Sequence, residues 1–206
     1  MMLRRATSVA AVLGALMVAA ACGGGDDPPT TSPDSETSES PTEPTEPITT
    51  PPAWEKEYTE KQLAAYDAAF GRWEIYESRS EAIWAEGKAT DRAEAFFKQY
   101  FPSPIWQGFY QRLETYEQVD VQIEGLADVY WSKPKTISKD GLSVVVDQCL
   151  DYTTIKTTQR GKPAQPVAWQ QKPNLRTITL EKPEGHDWLI YGVVDATGGK
   201  ARPCKP

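Results

Sequence analysis

Every aromatic residue of this chain lies beyond residue 53. All 7 Trp, 9 Tyr and 5 Phe fall within residues 54–206. Buried aromatic and aliphatic side chains supply most of the stabilisation of a globular fold, so a hydrophobic core can form only in residues 54–206. That length suits a single domain, and no second linker or internal repeat divides it.

Residues 1–21 have the pattern of a secretory signal peptide. Arg4 and Arg5 form a basic start, and the residues from Ala6 to Ala21 are uncharged and mostly apolar. A retained transmembrane helix is the alternative, but it needs about 20 apolar residues, and this run is shorter and is followed by glycines. The pattern therefore predicts export.

The segment Leu16–Cys22 resembles the lipobox of bacterial lipoproteins, in which small residues precede a cysteine that accepts diacylglycerol. The resemblance implies that Cys22 is lipidated and that the protein is held on the outer, extracytoplasmic face of the cytoplasmic membrane. Ala19–Ala21 also forms an A-x-A site for ordinary signal peptidase. Secretion without a lipid is therefore the alternative.

Residues 22–53 are predicted to be a disordered stalk. Between Gly23 and Pro52 lie 8 of the 17 prolines, 11 serines or threonines and 7 acidic residues, with no basic residue. Such a segment cannot bury enough apolar surface to offset the entropy that ordering costs. We expect a bare spacer that reaches between about 30 and about 90 Å. A spacer glycosylated on its threonines is the alternative.

Charge and histidine content argue against two kinds of partner. The formal net charge is −7, but residues 54–206 contribute only −2, from 22 acidic and 20 basic residues. A nearly neutral domain gives no reason to expect nucleic acid as a partner. A single histidine excludes a multi-histidine metal site, and we expect neither a metal nor a cofactor.

Three helices are predicted at the start of the domain. The segment Thr59–Gln62 has the form of a capping box and begins a helix that ends near Gly87. A second helix is predicted over Asp91–Tyr100, and a third begins with Ser103 as cap and Pro104 at the first helical position. Recurring steps of three and four define the predicted inner face of the first helix, namely Leu63, Tyr66, Phe70, Trp73, Glu77, Ser80 and Trp84.

After Tyr116 the apolar period changes to two, which predicts strands. The turn Lys139–Gly141 indicates a hairpin, and Thr157–Asn174, with three prolines, is predicted to be a long loop. Helices followed by antiparallel strands predict an α+β fold, with three N-terminal helices packed on a sheet. The predicted strands are 119–131, Leu142–Tyr152, Leu175–Glu181 and Trp188–Val194.

The cysteines predict one disulfide. If Cys22 carries the lipid, Cys149 and Cys204 remain as an even pair in an exported domain. Their bridge would close a loop of roughly 56 residues and stabilise the fold by about 4 kcal/mol. The alternative, a reactive thiol at Cys149, lacks a histidine within reach in the sequence.

Three carboxylates are candidates for chemistry. Asp147 and Asp151 lie four residues apart on a predicted strand, about 13 Å, which exceeds the 5 to about 9.5 Å of paired-carboxylate glycosidases. We interpret them as polar partners around the disulfide. Glu77 lies between Trp73 and Trp84 on the aromatic face, where a desolvated carboxylate could act as a base; a position on the rim is the alternative.

We expect most aromatic residues to pack in the hydrophobic core. The alternative is that they line an apolar pocket. His186 lies in a predicted turn, and the basic residues Lys200, Arg202 and Lys205 form the C-terminal tail, so we expect all four to be solvated. We assign no catalytic residue among His186 and these basic residues. The candidate pocket residues are Tyr66, Phe70, Trp73, Glu77, Phe97, Phe109 and Tyr110.

The order of elements resembles the cone-shaped nuclear transport factor two-like fold, and more specifically a group of uncharacterised actinobacterial lipoproteins that carry this domain. The resemblance implies a strongly curved antiparallel sheet. This fold hosts ketosteroid-isomerase-like enzymes, ligand binders and interaction modules alike, so it does not choose a function. The resemblance rests on Ala64–Tyr66 with Trp73, Asp147–Asp151, Arg160–Pro163, Glu184–Trp188 and Cys204.

We therefore expect a non-enzymatic, membrane-tethered lipoprotein of the cell envelope that binds either a small apolar molecule or another envelope protein. The alternative is an isomerase or lyase with Glu77 as general base and Tyr66 or Tyr110 as hydrogen-bond donor. A surface spacer is the third hypothesis. A deep pocket that holds Glu77 beside a tyrosine hydroxyl would favour the enzyme, and a filled cone would favour an interaction module.

Overall fold

A computed structural model describes residues 52–195 and 201–206. The predicted signal peptide 1–21, the lipidation residue Cys22 and the stalk as far as residue 51 lie outside the described residues, as does Lys200. All described residues belong to one unit, Thr49–Pro206. Within the described residues, no helix is both long and apolar enough to cross a membrane.

In the described part of the chain, three α-helices follow a short 3-10 helix, Ala53–Glu57. The first, α1 (Glu60–Glu86), begins with the predicted capping box: the Thr59 hydroxyl accepts from the Gln62 N–H, and the Gln62 side chain accepts from the Thr59 N–H at 3.1 Å. It ends at Gly87, whose φ of 62° is the left-handed conformation that terminates helices. The other two are α2 (Asp91–Tyr100) and α3 (Ile105–Val119).

The start of α3 differs from the prediction. The helix begins at Ile105, and no side chain caps it. The carbonyl of Pro102 instead accepts from the Ile105 N–H at 2.8 Å. The Ser103 hydroxyl accepts from the side chain of Gln107 rather than from a backbone N–H. Ser103 is therefore not the cap that the Ser-Pro sequence predicted.

Within residues 52–195 and 201–206, seven strands form two antiparallel sheets, so the fold is α+β, as predicted. The larger sheet has the order β2-β3-β6-β7 and the smaller one the order β1-β4-β5. This arrangement is consistent with a cone-like α+β fold. The strands are β1 (Val121–Glu124), β2 (Asp128–Ile137), β3 (Ser143–Asp151), β4 (Lys156–Gln159), β5 (Lys162–Pro163), β6 (Asn174–Glu181) and β7 (Leu189–Val194).

The smaller sheet corrects two predictions. The strand region predicted over 119–131 begins later and is divided in two, because Val119 ends α3 and Gly125, with φ of 86°, separates β1 from β2. The long loop predicted over Thr157–Asn174 is wrong, because β4 and β5 form a hairpin inside it. The hairpin turns at Arg160 and Gly161, both with positive φ, and arginine is a rare residue in that conformation.

Register shifts interrupt the larger sheet. They occur twice between β2 and β3, beside Val129 and Pro134, and once between β6 and β7 at Thr179. Such bulges bend the strand and increase its twist. Pro134 is tolerated because β2 is an edge strand, whose second side has no neighbour that needs its missing N–H.

The hydrophobic core lies between α1, α2 and the larger sheet, and Tyr76 of α1 is at its centre. The Tyr76 ring lies 4.9 Å from that of Phe101 and 5.4 Å from that of Tyr100, measured between ring centroids. Such edge-on and tilted contacts add to the stabilisation from burial alone. The buried core consists of Tyr66, Ala69, Trp73, Tyr76, Ile83, Ala93, Phe97, Tyr100, Phe101, Leu113, Ile137, Val144, Val146, Ile178, Leu180, Trp188 and Ile190.

The C-terminal tail is fastened to the end of the larger sheet. Cys149 of β3 and Cys204 form a disulfide with a Cα–Cα distance of 5.9 Å, the pair expected from the cysteine count. The Arg202 guanidinium donates to the carbonyls of Leu175 and Val194 at 3.0 and 2.7 Å. The prediction that Arg202 is solvated is therefore wrong, because its guanidinium binds backbone carbonyls of β6 and β7.

Candidate functional site

A cavity of about 430 Å³ lies among α1, α3, the smaller sheet and the segment that connects β5 to β6. Its helical wall comes from a stripe of α1 in which residues recur at steps of three and four: Trp73, Tyr76, Glu77, Ser80 and Trp84. This spacing places side chains on one face of a helix. Trp73 and Tyr76 of this stripe also belong to the core, so the cavity lies directly beside the core.

The other walls are mainly apolar. Two residues of the lining, Leu126 and Val167, are 40% and 48% exposed and form the rim. Besides the α1 stripe and the rim, the lining includes Phe109, Arg112 and Tyr116 of α3, Val121 and Ile123 of β1, and Ala127, Tyr152, Ile155, Thr157, Ala164, Gln165, Pro166, Trp169, Gln170, Arg176, Val193 and Asp195.

An ion pair lies in the wall of the cavity. The Arg176 guanidinium of β6 donates to the Glu77 carboxylate of α1, and their side chains are only 11% and 20% exposed. The guanidinium carbon also lies 5.4 Å from the centroid of the Trp73 ring and 5.7 Å from that of the Tyr152 ring. Arg176 is therefore surrounded by one carboxylate and two aromatic faces, a setting that suits a buried arginine.

Burial and neighbouring charges determine the protonation states of Arg176 and Tyr152. Burial is the largest single effect and lowers the pKa of Arg176, but Glu77, Tyr152 and Asp195 together outweigh it, so that the pKa is raised above its ordinary value. The pKa of Tyr152 is also raised, chiefly by burial, although the charge of Arg176 opposes the shift. Arg176 is thus charged and Tyr152 neutral at physiological pH.

Three polar atoms in the cavity wall have no hydrogen-bond partner among the described residues. They are Nε1 of Trp73, the hydroxyl of Tyr152 and Nε of Arg176, and each atom is shielded from solvent. A buried donor without a partner costs about 1 to 3 kcal/mol, so most native proteins avoid one. Here each of the three atoms is covered by neighbouring protein atoms rather than exposed to the open space of the cavity.

Only three of the seven predicted pocket residues line this cavity: Trp73, Glu77 and Phe109. Glu77 is half-buried on the cavity side of α1 and bound by Arg176, so it is not the isolated, desolvated carboxylate that the base hypothesis requires.

The structure places the other four predicted pocket residues elsewhere. Tyr66 packs edge-on against Trp54 and stacks on Phe70, on the turn of α1 away from the cavity. Phe97 is fully buried in the core. The Tyr110 hydroxyl donates to the Ala89 carbonyl at 3.1 Å, outside the cavity lining.

Sequence reasoning missed Arg176 and Tyr152. Both had a signal in the parity of their strands: Arg176 shares its parity with the buried Ile178 and Leu180 of β6, and Tyr152 shares its parity with the buried residues of β3. An arginine at an inward position of a strand must have a buried partner, but the strand itself does not identify that partner.

Asp147 and Asp151 have structural partners and do not line the cavity. Asp147 accepts from the Thr177 hydroxyl of the neighbouring strand. Asp151 accepts from the Thr153 N–H and from the Tyr130 hydroxyl, and these hydrogen bonds, that of Thr153 first, lower the pKa of Asp151. Both carboxylates thus hold strands and turns together, in line with their interpretation as polar partners.

His186 is exposed in the turn before β7, where it lines a second, more polar cavity of about 420 Å³ with Arg72 and Lys98. Arg72 is already bound there, since it donates to the Gln99 and Trp188 carbonyls. Within the described residues, no group of three or more His, Cys, Asp or Glu side chains could hold a metal ion.

No family model and no curated protein matches the sequence. Solved structures that are distantly similar in shape include the following two. The intermembrane space region of the chloroplast protein ARC6 is 11% identical with a TM-score of 0.34, over 67% of this chain and 97% of that chain. A protein from Catenulispora acidiphila is 13% identical with a TM-score of 0.40, over 68% of this chain and 97% of that chain.

Proposed function

We propose that this protein is an extracytoplasmic lipoprotein, anchored through Cys22, whose nuclear transport factor two-like domain binds a small apolar molecule. The observation that carries the proposal is the cavity of about 430 Å³, with its aromatic walls and its exposed aliphatic rim. Ligand sites commonly have volumes of about 300 to 1,000 Å³ and are lined by apolar and aromatic side chains.

The cavity favours a small molecule over a protein as the main partner. An interaction module would be expected to fill its interior with side chains and to use an exposed apolar surface. Here the aromatic rings of Trp84, Tyr116 and Trp169 border an open space instead. The rim residues Leu126 and Val167 extend that apolar surface outward, where a ligand would enter.

The proposed location rests on the first 22 residues and on the disulfide. A basic start, an apolar run and a cysteine after small residues suit lipid attachment. The Cys149–Cys204 disulfide suits an oxidising compartment outside the cytoplasm. Metabolic labelling with an alkyne analogue of palmitate should mark the full chain and not its Cys22→Ala variant. Equal labelling of both would refute the anchor.

Ligand binding can be tested with N-phenyl-1-naphthylamine, an uncharged dye that fluoresces in apolar surroundings. The full chain with Cys22→Ser avoids dye uptake by an attached lipid. We expect saturable binding to this protein. Substitution Ala164→Trp, in the cavity wall, should reduce dye affinity at least about tenfold, because the indole would occupy the space that the dye needs.

Ala168→Trp is the matched control, since Ala168 is exposed on the same connecting segment and does not line the cavity. Unchanged affinity in this variant, with loss in Ala164→Trp, supports the proposal. Absence of saturable dye binding, or equal binding by both variants, contradicts it and favours a spacer or a module that binds an envelope protein.

The isomerase or lyase is the second candidate, because Glu77 and Tyr152 both line the cavity, although Arg176 binds the Glu77 carboxylate and would have to release it. As an isomerase, it would remove a proton from the carbon next to a carbonyl and return it to the γ-carbon. The test is conversion of cyclohex-3-enone to the conjugated cyclohex-2-enone, followed by ultraviolet absorbance. Turnover that disappears in Glu77→Gln would favour the enzyme over the binding protein.

A further inference from the structure

Arg112 of α3 lies where the main cavity meets the solvent. It lines the cavity together with Phe109 and Tyr116, which share one face of α3 with it because they are three residues before it and four after it. Unlike Arg176, Arg112 is exposed. Its guanidinium carbon lies 5.9 Å from the centroid of the Phe109 ring. An exposed positive charge is therefore present at the opening of a mainly apolar cavity.

The Arg112 guanidinium lies on the cavity side of α3. Phe109, whose ring lies beside the guanidinium, lines the cavity. Tyr76 of α1 lines the cavity too. Burial raises the pKa of Tyr76, and the charges of Arg176 and Arg112 oppose that rise. Two lining residues from different helices are therefore within reach of the Arg112 charge.

Among the described residues, no carboxylate lies within ion-pair distance of the Arg112 guanidinium. The two acidic residues of the lining, Glu77 and Asp195, act on Arg176 instead. Against burial, which lowers the pKa of Arg176, the charges of Glu77 and Asp195 raise it, so both carboxylates lie near this guanidinium. The cavity lining therefore has its negative charges around Arg176 and an unbalanced positive charge at Arg112.

Building on the proposed function, we propose that the ligand is an apolar molecule that carries a single carboxylate group. The carboxylate pairs with Arg112 at the opening, while the hydrocarbon part contacts the aromatic and aliphatic walls inside. A guanidinium can bind a carboxylate through two parallel N–H donors, which fixes the orientation of the ligand. Arg176 is not the anion site, because a ligand carboxylate there would lie beside that of Glu77, and like charges repel.

The number of positive charges favours a carboxylate over a phosphate monoester. A carboxylate carries one negative charge, whereas a phosphate monoester carries nearly two at neutral pH. Among the described residues, the basic residues that line the cavity are Arg112 and Arg176, and Arg176 is bound by Glu77. The second charge of a phosphate would therefore have no cation to balance it.

Three naphthalenes of similar size test the charge of the ligand. 2-Naphthoate carries one negative charge, 2-naphthamide has nearly the same shape and no charge, and 2-naphthyl phosphate carries nearly two negative charges. Each is measured by displacement of N-phenyl-1-naphthylamine from the full chain with Cys22→Ser. Removing a carboxylate from water opposes its binding, so a preference for 2-naphthoate over the amide requires a cation at the site. We expect 2-naphthoate to bind about threefold to tenfold more tightly than either of the others.

Arg112→Gln removes the charge at an exposed position of a helix, so the variant should fold. We expect it to abolish the preference for 2-naphthoate and to leave binding of 2-naphthamide nearly unchanged. Arg79→Gln is the matched control, because Arg79 is exposed on α1, does not line the cavity and has the same charge. This variant should keep the preference for 2-naphthoate.

The possible outcomes separate this inference from the proposed function. A preference for 2-naphthoate that Arg112→Gln removes and Arg79→Gln retains supports the inference. Saturable dye binding without that preference, or with a preference that both variants alter equally or neither alters, overturns only the inference. Tighter binding of 2-naphthyl phosphate than of 2-naphthoate also overturns only the inference and indicates a phosphate site. Absence of saturable dye binding overturns the proposed function, and the inference with it.

Discussion

The guanidinium of Arg176 in β6 donates to the carboxylate of Glu77 in α1, although 99 residues separate the two in the sequence. The pair ties the long first helix to the third strand of the larger sheet, at the wall of the main cavity. It also brings Arg176 beside Trp73, one helical turn before Glu77. One contact therefore supports both the fold and the candidate binding site.

Substitution Glu77→Gln should lower the free energy of unfolding by about 2 kcal/mol. Removing one member of a buried ion pair costs about 3 to 5 kcal/mol, and partial exposure of this pair reduces the effect. Urea unfolding, followed by tryptophan fluorescence, measures the change. Glu77→Gln combined with Arg176→Gln should destabilise less than the sum of the single variants. Strict additivity would show that the two side chains do not interact.

Reduction of the Cys149–Cys204 disulfide should lower the free energy of unfolding by about 4 kcal/mol, because the bridge joins residues 55 apart and restricts the unfolded chain. The comparison is urea unfolding of the full chain with and without a thiol reductant. The Cys149→Ala, Cys204→Ala double variant should be insensitive to the reductant. A loss below about 1 kcal/mol would mean that other contacts hold the tail.

Arg202→Ala should cost about 1 to 2 kcal/mol with the disulfide intact. The guanidinium donates to the Leu175 and Val194 carbonyls and to the Thr177 hydroxyl, and hydrogen bonds from a charged group contribute more than neutral ones. Lys205→Ala, at an exposed position of the same tail, is the control and should change stability by less than about 0.5 kcal/mol. Equal effects of the two variants would refute the role of Arg202.

Two glycines should respond in opposite directions to alanine. At Gly87, φ is +62° and an added Cβ would lie 2.4 Å from the Val121 carbonyl oxygen, so Gly87→Ala should cost at least about 2 kcal/mol. Gly108 lies inside α3 with no atom within 4 Å of an added Cβ, so Gly108→Ala should stabilise by about 0.5 to 1 kcal/mol. Thermal unfolding of both variants measures the difference, and equal melting temperatures would contradict it.

Alkaline pH should destabilise the domain partly through Tyr66. Burial first, and then the charges of Asp67 and Glu74, raise the pKa of Tyr66 from 10.0 to about 12. The unfolded state therefore loses its proton first, so stability holds below about pH 10 and falls as the pH rises toward 12. Urea midpoints across this range should fall less steeply for Tyr66→Phe than for the unsubstituted chain. Parallel curves would exclude a contribution from Tyr66.

The sequence by itself determined the parts of the fold that depend on near neighbours. The capping box at Thr59, the end of α1 at Gly87 and the extent of α2 follow from side-chain and backbone groups within a few residues. Alternation within β3 likewise predicts the burial of Val144, Val146 and Leu150, but not that of Cys149, which lies on the opposite face and is in the disulfide. The failure at Ser103 shows the limit of this approach, since a backbone turn at Pro102 competes with a side-chain cap.

Tertiary structure alone decided the smaller sheet and the cavity. β1 pairs with β4 across more than 30 residues, and each strand is only four residues long, too short for a clear alternating pattern. Helix periodicity placed Glu77 on an inner stripe of α1. The packing of α1 against α3 and the smaller sheet decides which part of that stripe meets the core and which part borders open space. The partner of Glu77 depends in turn on the register of β6, which local interactions do not specify.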